Sequence, residues 1–258
     1  MKIAFTDEGE LARVLARSLK NNEIIIVDNP QRVINEKPDV VIHTLDIPYF
    51  ENKSYVWNFN TWYAINIARA AHKVNATNIY LSTFMIFNGK KGYYHENSTP
   101  DPLNYYGISK LVGETGTASL GNFLIIRCGV LYSLNYKGLL ASFFKAALNG
   151  KNLKCNKNFY ISPISIYSLS NIIAKFVNDE IKGVINVGGP RISIVEMCNL
   201  IADLFGVNVI ELNGKKYDFS LDTWLLNTFN IKLSLKEDLV NAIEYRVLNN
   251  ERKGISIT

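Results

Sequence analysis

No stretch of the chain approaches the ~20 consecutive apolar residues that a membrane-spanning helix needs. Its first twenty residues carry Asp7, Glu8 and Glu10, a poor match to a secretory leader. The expectation is a cytoplasmic globular protein with no membrane partner. Cysteine is scarce: Cys128, Cys155 and Cys198 stand far apart without paired spacing, and any pairing leaves one over. They are expected to be buried thiols. His43, His72 and His95 lack metal-like spacing, so no metal site is expected. There is no excess of charge of one sign either. Against 23 Asp and Glu stand 28 Lys and Arg, a formal net charge of +5 spread without a basic run. That distribution does not indicate a nucleic-acid partner. Internal repeats and low-complexity segments are also missing.

What the chain does have is enough apolar material for a sizeable core, 48% of 258 residues. Apolar strands alternate with helical patterns. "KIAF" is followed by a helix from Glu10 to Lys20 with Leu11, Val14, Leu15 and Leu19 on one face, then by "EIIIVD", "DVVIHTL", a helix around Thr61 to Val74, and "NIYLST". A helix from about Asn104 to Thr117 precedes "FLIIRCGVLY". Strands apolar on both faces belong to a covered parallel sheet. The expected class is α/β, a Rossmann-type doubly wound parallel sheet over residues 1–137, with a smaller α/β C-terminal lobe over 138–258. Strands near 160–190 are expected to return to the first domain. "GLLASFFKAALNG" reads as a helix ending at Gly150. "SIVEMCNLIADLFG" reads as a helix capped by Ser193, with Glu196 completing a capping box and Gly206 closing it.

The segment "LSTFMIFNGKKGYYHENSTPDPLNYYGISKLVGE", residues 81–114, carries the chemistry. Tyr106 and Lys110 share a helix face. Tyr49 and Lys53 have the same spacing, so context decides: Tyr106 opens a helical pattern after a strand ending in Ser82 and Thr83. A phenol can donate its proton to a developing alkoxide if a neighbouring ammonium pulls its pKa toward neutrality. A hydroxyl from Thr83 would orient the carbonyl and stabilise the growing charge. These residue types at these positions describe a carbonyl reductase site.

The register of Ser82, Thr83, Phe87, Gly89, Gly92, Tyr94 and Glu96, followed by Pro100, Pro102, Asn104, Tyr106, Gly107, Ser109, Lys110, Gly113 and Glu114, resembles the extended short-chain dehydrogenases/reductases. It is most similar to the dTDP-4-dehydrorhamnose reductases. The resemblance implies Thr83, Tyr106 and Lys110 as catalytic residues and Asn60 as a supporting asparagine. It also implies NADPH or NADH as cofactor, a nucleotide-linked 4-keto sugar as substrate, and a substrate-binding role for the C-terminal lobe. The cluster Trp57, Phe59, Trp62 and Tyr63 reads as core, with a dimer face as the lesser alternative, which leaves a homodimer open.

One departure stands at the entrance to the cofactor site. Where that family's first turn has three glycines for close approach of a pyrophosphate, this chain reads Thr6, Asp7, Glu8, Gly9, Glu10, Leu11, Ala12. The cofactor-binding candidates are Thr6, Gly9, Glu10, Leu11, Asp28, Asn60, Tyr106 and Lys110. A carboxylate at Asp7 or Glu8 would either compete for the helix N-terminus or turn to solvent. Asp28 is placed to meet an adenine ribose or to form a turn, and Arg32 to meet a 2′-phosphate, which leaves NAD against NADP open. Thr44, Leu45 and Asp46 replace alanine-rich residues, and Phe84 and Met85 follow Thr83 where the family has other side chains. Two functions are therefore expected in competition. One is the reductase. The other is a non-catalytic binding or regulatory subunit resembling the beta subunit of methionine adenosyltransferase, with cofactor binding weakened or lost.

Overall fold

The computed structural model describes residues 1–253, with side chains placed through residue 244. Its centre is a parallel sheet of six strands: β1 (Lys2–Phe5), β2 (Glu23–Ile26), β3 (Val40–His43), β4 (Thr77–Thr83), β5 (Phe123–Cys128) and, far along the chain, β10 (Gly183–Val187). The spatial order is β10-β5-β4-β3-β1-β2. The strands are apolar because both faces are covered. On one face, α1 (Glu10–Ser18) buries Leu11, Val14 and Leu15, as the 3.6-residue period predicts, in a core shared with α7 (Ile166–Asn178). On the other lie α2 (Pro30–Glu36), α4 (Ala64–Lys73) and α5 (Tyr105–Ala118).

The helix expected around Thr61 begins earlier. Asn52 caps α3 (Lys53–Trp57), which runs through a π turn, Asn58–Tyr63, into α4. The wider turn leaves Asn60 only 1% exposed, directed inward. The aromatic cluster divides there: Phe59 and Tyr63 are partly buried, whereas Trp62 is 51% exposed. Asn104 caps α5 by accepting the Gly107 amide at 2.8 Å. Gly113 is needed where α5 crosses its neighbours, since a Cβ there would lie 2.3 Å from the Asn60 carbonyl oxygen. That close approach fixes α5, and with it Tyr106 and Lys110, over the sheet.

A second apolar cluster gathers around β6 (Val130–Tyr132), α6 (Ala141–Leu148), β7 (Leu153–Asn156), β8 (Phe159–Ile161) and α8 (Ile194–Phe205). Strand β9 (Pro163–Ser165) pairs with β6. Strands β11 (Ile192–Ser193) and β13 (Tyr217–Asp218) flank β8, and β12 (Val209–Leu212) pairs with β7. The capping box on α8 is present, with Ser193 and Glu196 exchanging bonds and Gly206 left-handed at the end. Helix α9 (Trp224–Thr228) packs near β10, and α10 (Leu235–Lys253) is tied to β9 through Asp238. Asp238 also accepts from Tyr132 at 2.7 Å.

The cysteines are not three thiols, as the sequence leads one to expect. Cys155 on β7 and Cys198 on α8 form a disulfide, their Cα atoms 6.7 Å apart, and Cys128 alone is free. The pair spans 43 residues and is created by helix packing against strand, so spacing along the chain carries no trace of it. Among the described residues no helix is long and apolar enough to cross a membrane, and no group of His, Cys, Asp and Glu is arranged to hold a metal ion.

Candidate active site

At the C-terminal ends of β3, β4 and β5, where open parallel sheets bind ligands, lies a cavity of about 320 Å³. The sheet side contributes Thr44, Asp46, Thr83, Tyr106 and Lys110. Phe159, Tyr217 and Phe219 line it as well. The rest of the lining is mainly apolar.

Thr83 ends β4, and its hydroxyl accepts the Met85 amide at 3.2 Å. Tyr106 lies in the first turn of α5 and Lys110 one turn on, so helix geometry directs both at the cavity. The three candidate catalytic residues are thus brought together. What they meet is Asp46. Its carboxylate accepts from the Tyr106 hydroxyl at 3.1 and 3.0 Å and pairs with the Lys110 ammonium at 3.2 Å. The electrical consequence is opposite to the sequence expectation. Burial first, then the Asp46 charge, hold the Tyr106 phenol well above its ordinary pKa. Burial, the largest effect, works to lower Lys110, but Asp46 together with Tyr80 and Cys128 raises its pKa overall and keeps the ammonium charged. The lysine's field, required for a lowered phenol, is taken up by a carboxylate.

Asp46 is held from both sides. The Leu45 amide donates to the Thr6 hydroxyl at 3.0 Å. The Asn60 side chain clamps Ile47, accepting from its amide at 2.9 Å and donating to its carbonyl at 2.8 Å. Thr6 and Asn60, both read from the sequence as cofactor-binding, therefore hold the Asp46 segment. Asp46 was visible only as a departure from an alanine-rich run; a carboxylate in that position was the available signal.

A second carboxylate acts in a related way in the turn between β1 and α1. Asp7 does not turn to solvent: its Oδ2 accepts the Gly9 amide at 3.0 Å, and a Cβ added to Gly9 would lie 2.5 Å from that oxygen. Its Oδ1 is buried and has no hydrogen-bond partner among the described residues. Glu10 accepts from the Ser133 hydroxyl at 2.7 Å, while Glu8 is exposed and its carbonyl takes the Arg13 guanidinium. Leu11 lines the cavity; Gly9, Glu10 and Asp28 do not. Asp28 is exposed and bonded to Asn29. Between Asp7 and Asp28, the Tyr63 hydroxyl donates to the Val27 carbonyl at 3.0 Å, its pKa pushed up to about 12 by burial and then by those two acids.

A dinucleotide pyrophosphate does not fit this arrangement. It is anionic and offers only acceptors, so it cannot satisfy the orphaned Oδ1 of Asp7. At about 4 Å the repulsion of a phosphate charge is ~1 kcal/mol in water and ~4 kcal/mol at an effective dielectric of 20.

Behind Lys110, His43 ends β3 and bonds Asn78 at 3.0 Å. Burial lowers its pKa to about 4, against 6.5 in an unfolded chain. A depressed value means that the unfolded state binds the extra proton first. Stability is therefore full above pH 6.5 and falls as the pH drops toward 4, by about 3 kcal/mol in all. Urea unfolding at pH 7 and pH 4 should show that loss, and His43→Gln should remove most of it. An unchanged pH dependence in the variant would refute the assignment.

Comparison with known proteins agrees with this architecture. A structure of a hypothetical dTDP-4-dehydrorhamnose reductase from Sulfolobus tokodaii superposes with a TM-score of 0.82 at 28% identity, over 92% of this chain and 99% of that one. The fold is shared with a dTDP-4-dehydrorhamnose reductase from Bacillus anthracis solved in complex with NADP, TM-score 0.84 at 20% identity over 95% and 99% of the two chains. In sequence, methionine adenosyltransferase 2 subunit beta of Xenopus laevis is 28% identical over 153 residues, 55% of this chain and 46% of that protein. The matched stretch spans about half the length of such relatives. With the family model of the RmlD substrate binding domain matching residues 8–217, the chain belongs to that family, among the extended short-chain dehydrogenases/reductases.

Proposed function

We propose that this protein is a binding or regulatory member of its family, one that takes a nucleotide-linked sugar into the cavity and has weakened its hold on the nicotinamide cofactor. The observation that carries this reading is Asp7 on the Gly9 amide, a carboxylate bound to the one glycine of the turn that the family resemblance assigns to a pyrophosphate. Asp46 on Tyr106 and Lys110 supports it, because a phenol held high and an ammonium already paired are poorly prepared for proton transfer. The likeness to a protein described as a subunit, methionine adenosyltransferase 2 subunit beta, is consistent with it.

The second reading is an NAD(P)-dependent reductase of a nucleotide-linked 4-keto sugar, with NADPH or NADH as cofactor. It is favoured by the convergence of Thr83, Tyr106 and Lys110 on one cavity. Titration with NADPH and NADH, followed by nicotinamide fluorescence, separates the two. The proposed function expects no saturation below millimolar concentration for the native chain. It expects a gain of about tenfold to a thousandfold in Asp7→Gly, the range that the repulsion above corresponds to. Micromolar binding by the native chain, with turnover lost in Tyr106→Phe, would establish the reductase instead.

A further inference from the structure

The cavity contains a donor pair that ought to be available to a ligand and is not. Tyr106 and Lys110 are 8% and 2% exposed, and a phenol beside an ammonium is suited to receive two adjacent hydroxyls. Among the described residues the one ion pair of Lys110 is with Asp46, and its ammonium lies 4.7 Å from the centre of the Tyr80 ring. The Asp46 side chain is 31% exposed, so this carboxylate forms part of the cavity wall and is not sealed behind it. Its place is not left to a mobile surface loop, because the residues before and after it are fastened to Thr6 and to Asn60. Both fasteners are themselves buried, at 5% and 1% exposure.

We propose that Asp46 is the specificity-determining residue of the cavity, a resident carboxylate that satisfies Tyr106 and Lys110 and so keeps the vicinal diol of a nicotinamide riboside off that pair. Charge-assisted bonds are roughly twice as strong as those between neutral groups. A diol entering with Asp46 in place must exchange bonds to a carboxylate for bonds to hydroxyls. Thr6 and Asn60 act as positioning residues, through the backbone on either side of Asp46. The inference deepens the proposed function and rests on it for the identity of the pocket, but it concerns a different point from the pyrophosphate turn.

The probe is reduced nicotinamide riboside, which carries the diol and no phosphate and is therefore indifferent to repulsion at Asp7. Its fluorescence is titrated against the native chain, Asp46→Ala and Asp46→Asn. Asp46→Ala should bind at least tenfold more tightly than the native chain. Asp46→Asn, which keeps the shape and loses the charge, should show a smaller gain in the same direction and carries the test if the alanine variant does not fold. Equal or weaker binding in the folded variants would overturn the proposal, since it would mean that Asp46 is neutral toward the diol or helps to bind it. A second readout is the alkaline absorbance titration of tyrosinate. Relative to the native chain, Asp46→Ala should gain one tyrosine ionising at lower pH, and that component should vanish in Asp46→Ala/Tyr106→Phe. A purely structural role for Asp46 would leave it absent. Tight NADPH binding by the native chain would remove the proposed function while leaving the riboside comparison to decide the role of Asp46.

Discussion

Replacing Arg127 by leucine is expected to cost the fold about 3–5 kcal/mol, the penalty typical of breaking a buried ion pair from one side. Arg127 on β5 is 6% exposed, and its Nη2 donates to Glu114 Oε1 at 2.6 Å. Its Nε donates to the same carboxylate at 3.1 Å, and Nη1 reaches the Glu96 carbonyl at 2.7 Å. Glu114, on α5 and 5% exposed, also accepts from the Ser82 hydroxyl at 2.6 Å. Without the guanidinium, a carboxylate with one neutral donor is left in the interior. The loss should fall on β4 and α5 together, hence on Thr83 and Tyr106. Urea midpoints measure it, and the double variant Arg127→Leu/Glu114→Leu should recover much of the loss because the charge goes with its partner. A cost below about 1 kcal/mol for the single variant would show that the pair is solvated in solution.

The second large effect belongs to the disulfide. In the chain-entropy account a bridge enclosing 43 residues stabilises by about 4 kcal/mol, through restriction of the unfolded chain. Reduction of the native protein, or Cys155→Ser/Cys198→Ser, should lower the unfolding free energy by that order. Both positions lie in the cluster around β7 and α8 that supports Phe159 in the cavity wall. Alkylation after denaturation without reductant is the direct check. One adduct per chain, at Cys128, is expected; three would mean that Cys155 and Cys198 are not joined.

Much of the frame was legible because its signals are local. The period of Leu11, Val14 and Leu15 specified the buried face of α1, and doubly apolar strands specified a covered parallel sheet. Ser193, Glu196 and Gly206 gave both ends of α8 to the residue, since capping depends on side chains within one turn of the backbone they satisfy. The π turn was not legible. It places Asn60 against Ile47, thirteen residues back in the chain, a partner that no local pattern records.

For the candidate site, the sequence by itself determined which groups are present and which of them share an element. Tyr106 and Lys110 share α5 at i and i+4, Thr83 ends a strand, and one glycine remains in the turn. Only the tertiary structure decided what those groups encounter. Asp46 is 60 residues from the phenol it accepts from, and Asp7 chose the Gly9 amide over solvent. The reason is that a helix or strand records neighbours one turn or two residues away, whereas the sign of a pKa shift depends on which charge packing brings within a few ångströms.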